Sequence, residues 1–194
     1  MNEPPGFSVG PLAREHRARV AEILRSTENF RDEEIDVALE LFDESFVGDE
    51  YVFVAAFAID DDSRLSTDAS ADGRRLTADG STRTPQGFAC YGPTLSTDRT
   101  YDLYWIAVDR AAHGSGCGSA LLTEVERRLE ALHARMLVVE TSSRSDYTAT
   151  RGFYLKRGYV EAARVREFYA PEDDRIILTK RLAGSPRKGW GAVA

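Results

Sequence analysis

Hydrophobic positions along this chain alternate between two spacings, and the alternation predicts its elements. Residues Phe7 to Leu12 read as a short strand. From Ala13 to Arg25, Val20, Ile23 and Leu24 share one helical face. A polar break, Ser26 to Asn29, leads into a second helix over about Asp32 to Phe46. There Ile35, Ala38, Leu39 and Phe42 repeat at i, i+3, i+4 and i+7. The acids Asp32, Glu33 and Glu34 suit the positive end of its dipole. Tyr51 to Ile59 and Gln86 to Leu95 are apolar, rich in aromatic or β-branched residues, and predict strands. The tract between them, 60–85, is polar and offers little to bury, so we expect a mobile surface loop.

The middle of the chain is patterned most sharply. Leu103 to Val108 is an unbroken apolar run, as in a buried strand. His113-Gly114-Ser115-Gly116-Cys117-Gly118 follows, then a helix from about Gly116 to His133. Its stripe is Leu121, Leu122, Val125, Leu129 and Leu132. Met136 to Thr141 predicts a strand paired in parallel after that crossover helix. Tyr147 to Arg157 reads as a short helix stopped by Gly158. Tyr159 to Tyr169 and Arg175 to Arg181 predict a closing hairpin. The order β, α, α, β, β, β, α, β, α, β, β predicts a mixed α/β (α+β) domain over 1–184. Its central sheet is mostly antiparallel, with one parallel crossover and flanking helices. Residues 185–194 read as a flexible tail.

Composition narrows the function. The chain has 194 residues, 42% of them hydrophobic and 29% charged, enough for one core. Net charge is −7, which disfavours a nucleic-acid partner. No apolar run approaches the roughly 20 residues of a membrane helix, so no membrane partner is expected. The first ten residues lack the basic and apolar regions of a secretory signal. With only Cys90 and Cys117 as cysteines, a disulfide framework is not expected, and the cytoplasm is the default location.

A strand, a glycine loop and a helix N-terminus form a seat for phosphate, because the first turn of a helix presents N–H groups without intrahelical partners. Two ligand classes compete for it. A Rossmann-type site for S-adenosylmethionine or a dinucleotide would use Glu140 as the ribose acid. However, the glycine unit follows a meander, and too few elements come after it to complete a doubly wound sheet. The other class is coenzyme A. Residues 102–159 resemble the GNAT superfamily of N-acetyltransferases. Its Gln/Arg-x-x-Gly-x-Gly/Ala motif is matched by His113 to Gly118, with His113 replacing the usual Gln or Arg. Its aromatic-Tyr…Gly-aromatic motif is matched by Phe153-Tyr154-Leu155-Lys156-Arg157-Gly158-Tyr159. The resemblance implies the GNAT fold over about residues 7–181 and acetyl-CoA as co-substrate; His16, His113 and His133 fall on separate elements, so no metal is expected.

The resemblance also implies residue roles. The coenzyme would lie against Ile106, Ala107, Val108, His113, Gly114, Ser115, Gly116, Cys117, Gly118 and Ser119. Backbone amides of Ile106 to Val108 would polarise the acyl carbonyl. Tyr154 would return a proton to the departing thiolate; phenol and thiol pKa values, about 10 and about 8.5, are close. Asp102 is the first candidate for the base that accepts the amine proton, ahead of Glu140 and Glu44. Cys117 reads as a small loop residue rather than a nucleophile. The acceptor, a small-molecule or peptide amine, would enter between Ser26 to Phe30 and the final hairpin, with Tyr104, Trp105, Phe30 and Tyr169 as candidate lining. The expected activity is direct acetyl transfer in a ternary complex, with a non-catalytic acyl-CoA sensor or scaffold as the alternative. A homodimer is left open.

Overall fold

A computed structural model of the chain describes residues 6–59 and 83–183. The expected loop at 60–85 lies almost wholly, and the expected tail at 185–194 entirely, outside the described residues. The elements run β1 (Phe7–Pro11), α1 (Arg17–Ser26), α2 (Asp32–Glu44), β2 (Val52–Ala58), β3 (Pro85–Pro93), β4 (Thr100–Val108), α3 (Cys117–Ala131), β5 (Met136–Ser142), α4 (Thr148–Leu155), β6 (Val160–Ala170) and β7 (Asp173–Arg181). This is the order the sequence predicts. The strands form one seven-stranded sheet in the order β1-β2-β3-β4-β5-β7-β6. The β4–β5 pair is parallel, with Thr100↔Met136 through Leu103↔Val139 in register. The β1–β2, β2–β3, β5–β7 and β6–β7 pairs are antiparallel.

Two compact units divide the chain, the first Met1–Gly92 with Tyr104–Val125, the second Pro93–Leu103 with Glu126–Ala194. In the first unit, Val20, Ile23 and Leu24 of α1 and Ile35, Ala38, Leu39 and Phe42 of α2 are buried. They share a core with Phe53, Phe57 and Phe88 from the sheet. The helix expected from Ala13 is broken. A 3-10 turn at Arg14–His16 precedes α1, and His16 Nδ1 accepts the Ala13 N–H at 2.9 Å. A side-chain acceptor thus satisfies an amide that the helix itself cannot.

In the second unit, Leu137, Val139, Ile176 and Leu178 are buried, as is Leu129 of α3. One member of the predicted helix stripe is displaced. Leu132 is 58% exposed because α3 ends at Ala131, and His133 turns the chain with a φ of 55°. The closing hairpin turns more tightly than expected. β7 begins at Asp173, leaving Pro171 and Glu172 as the connection.

Candidate active site

The glycine loop lies in the first unit, and its shape follows from what surrounds it. β3 carries Gly87 where a Cβ would sit 2.8 Å from the Ala107 carbonyl oxygen and 2.9 Å from Cys117 Sγ. Only glycine lets β4 and the start of α3 come this close. At the end of β4, the Asp109 N–H donates to the Gln86 carbonyl at 2.8 Å. The Asp109 side chain then does two jobs. Oδ1 accepts the Ala111 N–H at 2.8 Å, capping the short turn Arg110–Ala112. Oδ2 accepts from Arg19 of α1 at 2.5 Å. The Ala111 hydrogen bond, followed by the one from Arg19, holds the Asp109 carboxyl below its ordinary pKa against some opposition from burial.

The predicted coenzyme residues lie together in this unit. Ile106 and Val108 are half-buried, and Ala107 is buried. His113 Nε2 lies 3.0 Å from the Val108 carbonyl, so the residue at the usual Gln/Arg position ties the loop back to its strand. The Ser115 N–H and hydroxyl both reach the Ala112 carbonyl, at 3.4 and 2.5 Å, and so serve the turn itself. Gly114 and Gly116 adopt φ of +75° and +96°, with open space where a Cβ would stand. These are left-handed conformations that side chains resist. Ala120 N–H opens the α3 ladder on Gly116 O at 3.0 Å, which puts Cys117, Gly118 and Ser119 in the first turn. Cys117 packs beneath the loop, 1% exposed, and burial pushes its thiol up to about 12. It therefore stays protonated at neutral pH and is no nucleophile. The open backbone, the positive-φ glycines and the helix N-terminus fit a coenzyme's diphosphate.

The two predicted catalytic side chains lie in the second unit. Tyr154 of α4 is 2% exposed. Its ring meets Phe153 and Tyr159 edge-on, with centroids 5.1 and 5.3 Å apart. Burial raises the phenol well above its ordinary pKa, with the Arg157 charge opposing. The helix stops just beyond it. Gly158 N–H bonds Leu155 O at 3.1 Å, and Tyr159 N–H bonds Tyr154 O at 3.2 Å. Tyr159 is anchored in turn. Its hydroxyl donates to Glu126 at 2.9 Å, and Lys180 donates to the other Glu126 oxygen at 2.7 Å. Asp102 is half-buried on β4 and accepts the Thr94 hydroxyl at 2.7 Å. Glu140, weighed as a base or ribose acid, is ion-paired with Arg175 of β7.

Sequence reading missed Asp109 and Arg19. An acid directly after a strand and two residues before an amide in need of a cap was a usable sign for Asp109. Nothing local marked Arg19, which is 90 residues from its partner.

The acetyltransferase (GNAT) domain family matches residues 71–161. A crystal structure of a GNAT-family protein from Desulfovibrio desulfuricans is 36% identical, covers 91% of this chain and 99% of its own, and superposes with a TM-score of 0.73. The chain belongs to the GNAT acetyltransferase family. More distant members share its fold. The ribosomal-protein-S18-alanine N-acetyltransferase of Escherichia coli is 19% identical over 95% of this chain and 99% of its own, with a TM-score of 0.67. PaiA N-acetyltransferase from Thermoplasma acidophilum, solved in complex with coenzyme A, is 16% identical over 90% of this chain and 98% of its own, with a TM-score of 0.60. No curated protein sequence matches the chain. Family membership supports acetyl transfer and speaks against the Rossmann alternative.

Proposed function

We propose that this GNAT protein moves an acetyl group from acetyl-CoA to an amine by direct transfer within a ternary complex. The observation that carries the reading is the loop from His113 to Ser119, an open backbone cradle closing on a helix N-terminus. Acetyl-CoA supplies the acetyl thioester. The amides of Gly116, Cys117 and Gly118 hold its diphosphate, and backbone N–H groups between Ile106 and Val108 draw charge onto the acyl oxygen. An alkylamine arrives as an ammonium, with a pKa of about 10, so a base must take its proton before attack. Asp102 is that base. The amine attacks the acyl carbon, the carbon–sulfur bond breaks, and the nitrogen sheds its surplus proton, which makes good the one that Tyr154 gives to sulfur. Burial raises the Tyr154 pKa, so the phenol enters the step protonated but is a weaker acid than the free group, and it gives its proton to the departing sulfur as the thiolate forms.

The acceptor we favour is a cationic amine. The first unit carries acids at Asp32, Glu33, Asp36, Glu40 and Glu44 on α2, beside Glu34 and Asp43, which pair with Arg31 and Arg17. That excess raises the local concentration of a cation before it meets any specific contact. The test is a panel of polyamines, amino acids, aminoglycosides and peptide N-termini, scored by release of free coenzyme thiol. Amine-dependent thiol release is the expected result. Acetyl-CoA binding without release on any amine would replace the enzyme with the sensor.

A further inference from the structure

Leu103 to Val108 is an apolar run on β4, the fourth of seven strands, and such a run predicts burial on both faces. The neighbouring β3 meets that expectation, with Gly87 through Gly92 all buried. β4 does not. Tyr104 is 39% exposed, and Trp105 and Ile106 are half-buried. The middle of a central strand is therefore open, and the surface it shows in the first unit is aromatic. The Tyr104 ring meets Tyr51 edge-on, with centroids 5.4 Å apart, and lies 6.4 Å from Trp105. Tyr51 and Trp105 pack against the core that α1 and α2 share with the sheet, so both are held from behind.

Carboxylates flank these rings. A Cβ on Gly92 would collide with the Glu50 carbonyl oxygen and stand 3.2 Å from the Tyr104 ring, so only glycine lets the Glu50 backbone come this close to Tyr104. Glu44 and Glu50 are exposed, and neither forms an ion pair among the described residues. Burial, followed by the Glu44 and Glu50 charges, raises the Tyr51 phenol above its ordinary pKa, so both carboxylates act at this ring. α2 ends at Glu44, which adds the negative end of its dipole. Aromatic rings beside acids that no cation of the chain neutralises attract an alkylammonium.

We propose that Tyr51, Tyr104 and Trp105, with Glu44 and Glu50, hold the second ammonium of a diamine. On the acetyl-transfer reading above, on which this assignment rests, that diamine is the acceptor. A nitrogen attacks only as the free base, whereas these rings and acids favour a cation. They therefore hold a nitrogen other than the one that reacts, and the acceptor carries two. Tyr104 precedes Ile106, the first of the amides proposed to polarise the acyl oxygen, by two residues, about 7 Å along the strand. An aliphatic spacer of about four or five carbons covers that length.

The test has a binding arm and a turnover arm, both on the full chain. In the first, ligand-observed NMR follows butyltrimethylammonium, a cation that cannot be acetylated, on protein saturated with coenzyme A. We expect binding, weakened about threefold or more by Glu50→Gln and by Tyr51→Leu. Glu50 is exposed, so its variant should fold, and thermal unfolding checks both. In the second, thiol release from acetyl-CoA should show kcat/KM about tenfold or more higher for 1,4-diaminobutane than for butylamine. Butyltrimethylammonium should inhibit the diamine competitively. No binding of the quaternary cation would overturn the assignment, as would binding that neither variant moves. Thiol released equally from both amines would also overturn it and leave acetyl transfer standing. Cation binding that the variants weaken, with no thiol released from any amine, would keep the aromatic site and remove the transferase reading.

Discussion

The glycine loop and the buried tyrosine are built in opposite ways. The loop is made of backbone. Gly114 and Gly116 supply conformations that side chains resist, and the groups we propose to hold the coenzyme are amides. Its stability is borrowed from Asp109, from Arg19 and from the close approach at Gly87. Tyr154 is a side chain held by aromatic neighbours and by the end of α4. A backbone device tolerates changes of side-chain chemistry but not of backbone shape. A side-chain device has the reverse sensitivity.

The largest effect should come from Tyr154→Phe, which keeps the ring and removes the hydroxyl. If the phenol donates the proton, kcat falls by about a hundredfold or more while acetyl-CoA affinity, read by calorimetry, stays within about twofold. An unchanged kcat would remove Tyr154 from the chemistry.

Gly116→Ala strikes the loop instead. The space around Gly116 is open, so the cost is conformational, about 1–2 kcal/mol for forcing a φ of +96° on alanine. We expect acetyl-CoA to bind about tenfold more weakly, with kcat at saturation nearly kept. A loss of kcat with unchanged binding would contradict the contrast.

Asp109→Ala removes the support beneath the loop, a cap and an ion pair together. It should destabilise the fold by about 1–3 kcal/mol, measured by urea denaturation. The pH dependence has a definite sign. The folded carboxyl lies below its unfolded pKa of 3.8, so its contribution is complete above that value and is lost as pH falls through the folded value. Wild type should therefore lose stability in acid more steeply than Asp109→Asn. Parallel acid profiles would argue against it.

His16 gives a smaller effect at milder pH. Burial lowers its pKa below 6.5, and its neutral ring accepts the Ala13 N–H. Its contribution is present above pH 6.5 and fades as pH falls through the lower folded value. His16→Gln should flatten the thermal stability profile between about pH 5 and 7. Smallest of all is Cys117→Ala. The buried thiol stays protonated, so kcat should not change. A loss of turnover with intact coenzyme binding would reopen a covalent route.

Legibility followed the same division. Strands β2 and β3 and the stripes of α1 and α2 could be read because burial leaves a local record, with apolar residues at fixed spacing. The glycine loop and the Tyr154 motif could be read because a backbone turn and a helix stop need particular residues at particular positions. Helix ends were less legible. Leu132 fits the α3 stripe by spacing, yet His133 turns the chain away before the face is complete.

The amino-acid order alone was enough for the succession of elements and for the shape of the glycine loop, because each depends on residues near one another in the chain, and the parallel crossover followed from one long helix lying between two apolar strands. Folding in three dimensions brought Arg19 to Asp109 and Tyr159 to Glu126 and Lys180, and put a bulge at Ala162 that turns both β6 valines to one side. Those contacts join positions tens of residues apart or depend on strand register. Neither leaves a periodic trace, because each is set by which surfaces the packed chain happens to bring together.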